Sequence, residues 1–465
     1  MIKNCLLLNI IRNKNVLVKK VTRDCLNIVP AINRNSFRAM SCADQYTKFA
    51  LPERLLGLDK NVWVEYIKLV NEYKPINLGQ GFPDYAPPQH VTDALKEVSD
   101  SCNILIHQYA RSAGNMRLVN ALSKLYSGLI GHNIDPMTEI LIGIGATQIL
   151  FNVFLGHLQP GDEAIIIEPF FDCYLPMIKL TGAKLHCIPL EPRKGMKVTC
   201  TRDWILDPDR LEKLFNEKTK MIVVNTPHNP IGKVYTVEEL TMIGDLCKKW
   251  NVLCVADEVY EWMVYKPNKH IRMASLPGMW ERTITIGSAG KSFSVTGWKT
   301  GWAYGPKELI KNLQTVHQNC VYACVSIVQE AIAIALEKEL EVLGTPECSF
   351  EKMRAELEPK RDFVVKELTD MGMNPIIPEG GYFVVADFTP LLPKIDLSEE
   401  KDKEKDYKFT KWMAKKVGVL AIPPSAFYSD EHKHLGENYA RFCFIKEDHN
   451  LQLAAERLRA WKENN

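Results

Sequence analysis

The sequence predicts an α/β protein with a largely parallel central sheet, on two observations. From Asp59 onward, apolar strand-like runs alternate with helix-length amphipathic segments, which is how strands joined by crossover helices read. The five strongest runs, at 139–144, 164–167, 221–224, 253–256 and 283–286, each end in a polar cluster. Ligands of open α/β sheets bind beyond the carboxyl ends of the strands, so these clusters point to one shared crevice.

After the first strand, Gly145-Ala146-Thr147-Gln148 opens a helix predicted over 149–158, and the backbone N–H groups of such an opening are a ready anion site. The string from Gly143 to Gln148 also faintly matches a dinucleotide fingerprint, but its third glycine is missing, which is weak ground for NAD. After the second strand, Phe171, with Tyr174 near it, either lays its ring face on a flat cofactor or fills the core. After the third, Asn229 stands between prolines in Pro227-His228-Asn229-Pro230; such a turn presents the amide at a fixed point, and it is also ordinary turn chemistry. After the fourth, Asp257 follows the apolar run 252–256, which places its carboxylate at the floor of a crevice. There it either meets a cationic partner such as a pyridinium nitrogen or caps a helix. Tyr260, three residues on, is within reach of the oxygen of the same ring, and with Asn229 it supplies two neutral donors to a phenolate-like oxygen.

The fifth strand leads into the densest cluster, 286–302, with two lysines among glycines and hydroxyls. A lone Gly-Lys pair reads as a turn with a solvated lysine. Here Lys291 sits at a strand's carboxyl end, where desolvation lowers an amine's pKa and frees it to attack a carbonyl. Lys299 stays a point charge suited to a phosphate, with Ser288 as a hydroxyl donor. A helical stretch over 314–343 carries the chain out of this domain. From 350 onward a smaller α/β unit is expected, with antiparallel strands at 381–387 and 439–444 and a solvated loop at the mixed charge run 398–408. Arg441, in the later strand, is a bidentate donor suited to a carboxylate, or a surface ion-pair partner.

At 465 residues, with 46% apolar and 25% charged residues, the chain has ordinary globular composition and room for two domains. A net charge of +2 gives no reason to expect nucleic acid or an anionic membrane as partner. The thirteen cysteines form no CxxC pair, and the closest two, Cys320 and Cys324, are four residues apart; they read as reduced thiols of an intracellular compartment. His107, His228 and His317 lack metal-ligand spacing, so no metal is expected. Residues 1–40 carry eight Lys and Arg against the single acid Asp24, as a mitochondrial transit peptide does. Their apolar run 5–11 is too short to span a bilayer, and Met40 offers a second start that yields a cytoplasmic form.

Together, 287–302, 225–233 and 257–260 resemble the fold-type-I, pyridoxal-phosphate-dependent aminotransferases. Within these, 77–84, 169–174, 277–283 and 441–446 are similar to the kynurenine aminotransferases, a group overlapping glutamine transaminase K and cysteine-S-conjugate β-lyase. The similarity runs from about Gly57 to the C-terminus. It implies an N-terminal arm and part of a small domain over 41–86, a large cofactor-binding domain over 87–349, and a small domain over 350–465. It also implies a homodimer with shared active sites. Lys291 would carry pyridoxal 5'-phosphate as a Schiff base and move protons as base and acid, and Asp257 would pair with the pyridine nitrogen. Asn229 and Tyr260 would hold the ring oxygen, Phe171 would stack on the ring, and Ala146, Thr147, Gln148, Ser288 and Lys299 would take the phosphate.

The resemblance further implies that Arg441 and Asn229 bind the substrate carboxylate, that Trp63 and Gly81 line its pocket, and that Tyr109 and Tyr322 reach the neighbouring subunit's site. The implied reaction moves the amino group of kynurenine, glutamine or a similarly bulky amino acid to a 2-oxo acid, with carbon–sulfur β-elimination as the alternative on the same site. The sequence departs from many relatives at Thr147, where an aromatic is common. It departs again at 108–114, which lacks the Thr and second Gly usual after the tyrosine, and at Ala323, where some carry histidine. These bear on amino-acid preference. A DNA-binding regulator built on this fold would need an appended domain, for which the basic leader is too short.

Overall fold

The computed structural model describes residues 49–464 other than 59, 60, 194, 196 and 197. The transit peptide expected over 1–40, and Met40, lie outside the described residues. The chain divides into two units, Met1–Leu56 and Gly57–Asn465. Of the first, the described part holds one 3-10 turn, Glu53–Leu55.

The second unit is built on seven strands: β1 (Ile140–Ile144), β2 (Glu163–Glu168), β3 (Lys184–Pro189), β4 (Thr219–Asn225), β5 (Leu253–Asp257), β6 (Thr283–Ser288) and β7 (Thr300–Tyr304). They pair in the order β1-β7-β6-β5-β4-β2-β3. All pairings are parallel except the two made by β7, which runs antiparallel to both neighbours. Because β7 runs backwards, its first residue, Thr300, lies at the same edge as the last residues of the other strands, opposite Ile144. Each of the five strands expected from the sequence is present.

Side chains along a strand alternate between faces, and here both faces are covered. Ile166, Val223, Val255 and Ile286 share one core with Leu150, Val153 and Phe154 of the helix Gly145–His157. Their neighbours Ile165, Ile222, Cys254 and Ala256 face Leu240, Ile243 and Cys247 of the helix Val237–Trp250. That is why these strands read as continuous apolar runs instead of alternating ones. Burying each large aliphatic side chain contributes roughly 1.5–3 kcal/mol, which fixes the sheet firmly enough to position what lies at its edge.

The helix expected over 314–343 is two helices, Lys307–Cys320 and Ser326–Glu341. Between them Tyr322 turns left-handed at φ 70°, with its N–H and that of Val321 both donating to the carbonyl of His317. A second, antiparallel sheet contains β8 (Asn374–Ile376), β9 (Phe383–Asp387) and β10 (Tyr439–Cys443), with β9 central. The helix Val62–Tyr73 packs Tyr66 and Leu69 against Leu420, Ile422 and Phe427, so the beginning and end of this unit share a core.

One expectation is corrected. The charge run 398–408 is not a solvated loop throughout, because the helix Lys405–Trp412 begins inside it. Phe409 and Trp412, three residues apart, give that helix an apolar face, and Phe409 stacks on Phe388 at 4.0 Å. Asp406, one turn earlier, is buried with it and accepts from the amide and hydroxyl of Ser425 at 2.7 and 2.9 Å. Desolvation pushes its carboxyl up to about 7. Among the described residues no helix is long and apolar enough to cross a membrane, no cluster of His, Cys, Asp or Glu is placed to hold a metal, and every cysteine is free.

Candidate active site

The strand ends surround one crevice of about 700 Å³ including its open mouth, a size suited to a small-molecule ligand. Gly145, Ala146 and Thr147 follow β1, Phe171 follows β2, and Asn225 and Asn229 end and follow β4. Asp257, Val259 and Tyr260 come from β5, Ser288, Gly290 and Lys291 from β6, and Lys299 and Thr300 from the start of β7. Every expected cofactor residue is therefore at this crevice except two. Gln148 turns back, its amide oxygen accepting from the Ile144 N–H at 3.2 Å and its amide N–H donating to Asn152 at 2.8 Å. Tyr109 lies outside, 86% exposed.

Asp257 sits on the crevice floor, 3% exposed. No helix follows it, which rules out the capping role. It accepts from the hydroxyl of Tyr174 at 2.5 Å and weakly from the Val259 N–H at 3.4 Å, and its own carbonyl accepts from the Asn225 amide at 2.8 Å. Desolvation pushes its pKa up to about 6, against the pull of the Tyr174 bond and of the Lys291 charge. This is a buried carboxylate that meets the Tyr174 hydroxyl, the Val259 N–H and the Lys291 charge, and burial still outweighs them.

Lys291 extends from the short helical turn Ala289–Ser292 after β6. Burial lowers its amine to about 8, assisted by the nearby Arg441 and Lys299 charges and opposed by Cys443 and Asp257. Its amine donates to the hydroxyl of Tyr382 at 2.5 Å. Tyr260 lies alongside, its ring centroid 5.4 Å from the amine.

At one end of the crevice the start of the helix Gly145–His157 faces Ser288 and Lys299. Gly145 has φ +74°, and a Cβ there would lie 3.3 Å from the Lys299 amine. A Cβ on Gly301 would fall 2.5 Å from the Ala146 nitrogen. The two glycines together let the helix start, β7 and the lysine close around one small space lined with N–H, O–H and ammonium donors, the donor set an anion requires.

Arg441 is 1% exposed and is no surface ion pair. It donates to the side-chain oxygen of Asn229 and to the carbonyl of Gly79, both at 3.1 Å, while its Nε has no partner. Burial lowers its pKa to about 10. Phe383, Phe427 and Trp63 surround the guanidinium with ring centroids at 4.1, 4.7 and 5.6 Å, and the Trp63 indole N–H is held by Asp172 at 2.7 Å. Gly81 lies against the same ring system, since a Cβ there would sit 2.5 Å from Phe383. A desolvated arginine with unmet hydrogen-bonding capacity is a site for a carboxylate.

A profile of the family described as aminotransferase class I and II matches residues 73–458. The chain belongs to this aminotransferase family. Human kynurenine–oxoglutarate transaminase 3 is 51% identical over 419 residues, covering 89% of this chain and 91% of the relative. Rat kynurenine–oxoglutarate transaminase 1 is 44% identical over 90% of this chain and 99% of its own. Among solved structures, Bna3p of Saccharomyces cerevisiae, a candidate kynurenine aminotransferase, superposes with a TM-score of 0.81 at 35% identity, covering 92% of this chain and 100% of that one. Membership implies that this aminotransferase depends on pyridoxal phosphate.

Two residues at the heart of the site escape sequence reasoning. Tyr382 reads only as part of a strand, and Tyr174 only as a neighbour of Phe171. Their partners lie 91 and 83 residues away. The one local sign is an aromatic beside the glycine pair Gly380-Gly381, where backbone approaches closely.

Proposed function

We propose that this chain is a pyridoxal-phosphate-dependent transaminase that takes the amino group of kynurenine, glutamine or a similarly bulky amino acid and gives it to a 2-oxo acid such as oxoglutarate. The observation that carries the proposal is one crevice with a phosphate-type donor cup at one end, a buried carboxylate on its floor and an amine of lowered pKa; its wall residue Asn229 accepts from a desolvated arginine, Arg441.

The donor set fits the cofactor. Thr147, Ser288, Lys299 and the amide of Ala146 would take its phosphate, Asp257 its ring nitrogen, Asn229 and Tyr260 its ring oxygen, and Phe171 one ring face. When bound, that group supplies an electron sink for the carbanion at the substrate's Cα. Lys291 holds and moves the proton at that carbon, and an amine near pH 8 is suited to both directions at physiological pH. Arg441 binds the substrate carboxylate. Trp63, fixed by Asp172, walls the pocket against water.

Tyr174 acts through Asp257. Its hydroxyl favours the ionised carboxylate, and a hydrogen bond to a charged group is worth about 1.5–3 kcal/mol. Tyr174→Phe is therefore expected to raise the pyridoxal phosphate concentration for half-saturation of cofactor-free protein about tenfold, read by absorbance titration. An unchanged midpoint would remove Tyr174 from the site.

A homodimer with shared sites is supported by the exposed apolar cluster of Tyr109, Tyr322, Ile104 and Leu105, which are 86%, 57%, 73% and 77% exposed. Tyr109 and Tyr322 meet edge to face at 5.6 Å. The basic leader supports delivery to mitochondria, and Met40 a cytoplasmic form. The substrate reading is tested with a panel pairing kynurenine, glutamine, phenylalanine and aspartate with several 2-oxo acids. Kynurenine and glutamine are expected to lead, and aspartate preference would overturn the reading. Pyruvate and ammonia formed from a cysteine conjugate without any oxo acid would identify β-lyase activity.

A further inference from the structure

The loop 77–82 links Arg441 to Tyr382, the hydrogen-bond partner of Lys291. Asn77 pins it, accepting at its side-chain oxygen from the N–H groups of Gly79 and Gln80 at 3.2 and 3.1 Å and donating to the Gln80 side chain at 2.8 Å. From this loop the carbonyl of Gly79 receives Arg441, and the carbonyl of Gly81 receives the hydroxyl of Tyr382 at 2.8 Å. Tyr382 is 1% exposed and packs edge-on against Tyr260 and Phe383, with centroids at 5.2 and 4.7 Å. The Lys291 amine is 2.5 Å from the Tyr382 oxygen but 5.2 Å from its ring centroid, so it approaches the hydroxyl and not the ring face. A phenol has one proton to give. With that proton directed to Gly81, the oxygen faces the lysine as an acceptor only.

We propose that Tyr382 is a positioning residue for the reaction: its hydroxyl oxygen receives the Lys291 amine whenever that amine is free and holds it beside the substrate's reacting carbon. The inference rests on the transaminase reading. Within each half-reaction the lysine amine has to be free of its covalent link to act as base and acid, and a long flexible side chain otherwise loses orientation each time. Because Gly81 and Gly79 belong to one pinned loop, the lysine's parking place and the substrate-carboxylate arginine keep a fixed spacing.

The test uses the full chain carrying Tyr382→Phe. Its kcat is expected to fall about ten- to a hundredfold, with KM for the amino acid changed less than about twofold because Arg441 is untouched. The second readout is the pH dependence of Lys291 capture by a small aldehyde in cofactor-free protein, trapped by borohydride and followed by mass. An acceptor favours the charged amine, so its removal is expected to move the capture midpoint down by about half to one pH unit from a value near 8. A role in packing alone would leave that midpoint in place. A ring-fluorinated tyrosine at 382, a weaker acceptor of nearly the same shape, is expected to shift it the same way by less, and serves if the phenylalanine variant does not fold. A folded variant with unchanged kcat and unchanged midpoint overturns the proposal. The capture assay contains no substrate, so a shifted midpoint stands even if the transaminase reading fails, and that reading fails separately if Lys291→Ala remains active.

Discussion

Lys291→Ala is expected to lower kcat/KM for transamination by at least about 10⁴-fold, because the proposed function gives one amine two tasks. On the proposed function it would tether the cofactor covalently and transfer the proton at Cα, the latter a contribution typically of about 10²–10⁴-fold on its own. No neighbour can substitute. Among the described residues the only other ammonium lining the crevice is Lys299, whose amine lies beside Gly145 at the phosphate end. The variant is expected to fold, since Lys291 keeps some accessible surface while Ala289, Gly290 and Ser292 carry the buried packing of that turn. The absorbance of the lysine-linked cofactor will be lost, and a small exogenous amine will restore part of the proton transfer but not the tether. Full activity in Lys291→Ala would end the assignment.

The distinction between what the sequence disclosed and what it hid follows the range of the interactions. Strands β1, β2, β4, β5 and β6 were legible because both their faces are buried, which writes an uninterrupted apolar run. The residues just past their ends were legible because parallel topology leaves them nowhere else to go than a common edge. Asp257 and Asn225 end up side by side by sheet register alone. Hidden were the contacts that cross between elements. Nothing local announces that the Tyr174 hydroxyl meets Asp257 or that Tyr382 meets Lys291. Trp63 and Gly81 entered only through resemblance, since a tryptophan on an amphipathic helix and a glycine in a loop have many commoner reasons to be there. The charge run at 398–408 misled for the opposite reason: its alternating signs mask Asp406, whose burial follows from the apolar face that starts just beyond it.

Asp257→Asn carries the second large effect and separates charge from shape. The amide keeps an oxygen for the Tyr174 hydroxyl but cannot stabilise a protonated ring nitrogen. Loss of one partner of a buried ion pair costs about 3–5 kcal/mol, so kcat/KM is expected to drop about 10²- to 10⁴-fold. Stability will move the other way. In cofactor-free protein the Asp257 carboxyl is raised from 3.8 to about 6, so between those pH values the folded chain holds a proton that the unfolded chain has released. Folding stability therefore declines as pH rises through that window and stays lower above it, by up to about 3 kcal/mol. The amide of the variant has no such proton to lose, so the variant freed of cofactor will melt at a higher temperature than the parent at pH 7.5 but not at pH 4. Saturating pyridoxal phosphate is expected to reverse the order, because on the proposed function only the carboxylate would pair with the ring. Combining Tyr174→Phe with Asp257→Asn is expected to cost little more than Asp257→Asn alone, since the hydroxyl works through the carboxylate it touches. Additive losses would mean that Tyr174 reaches the cofactor by another route.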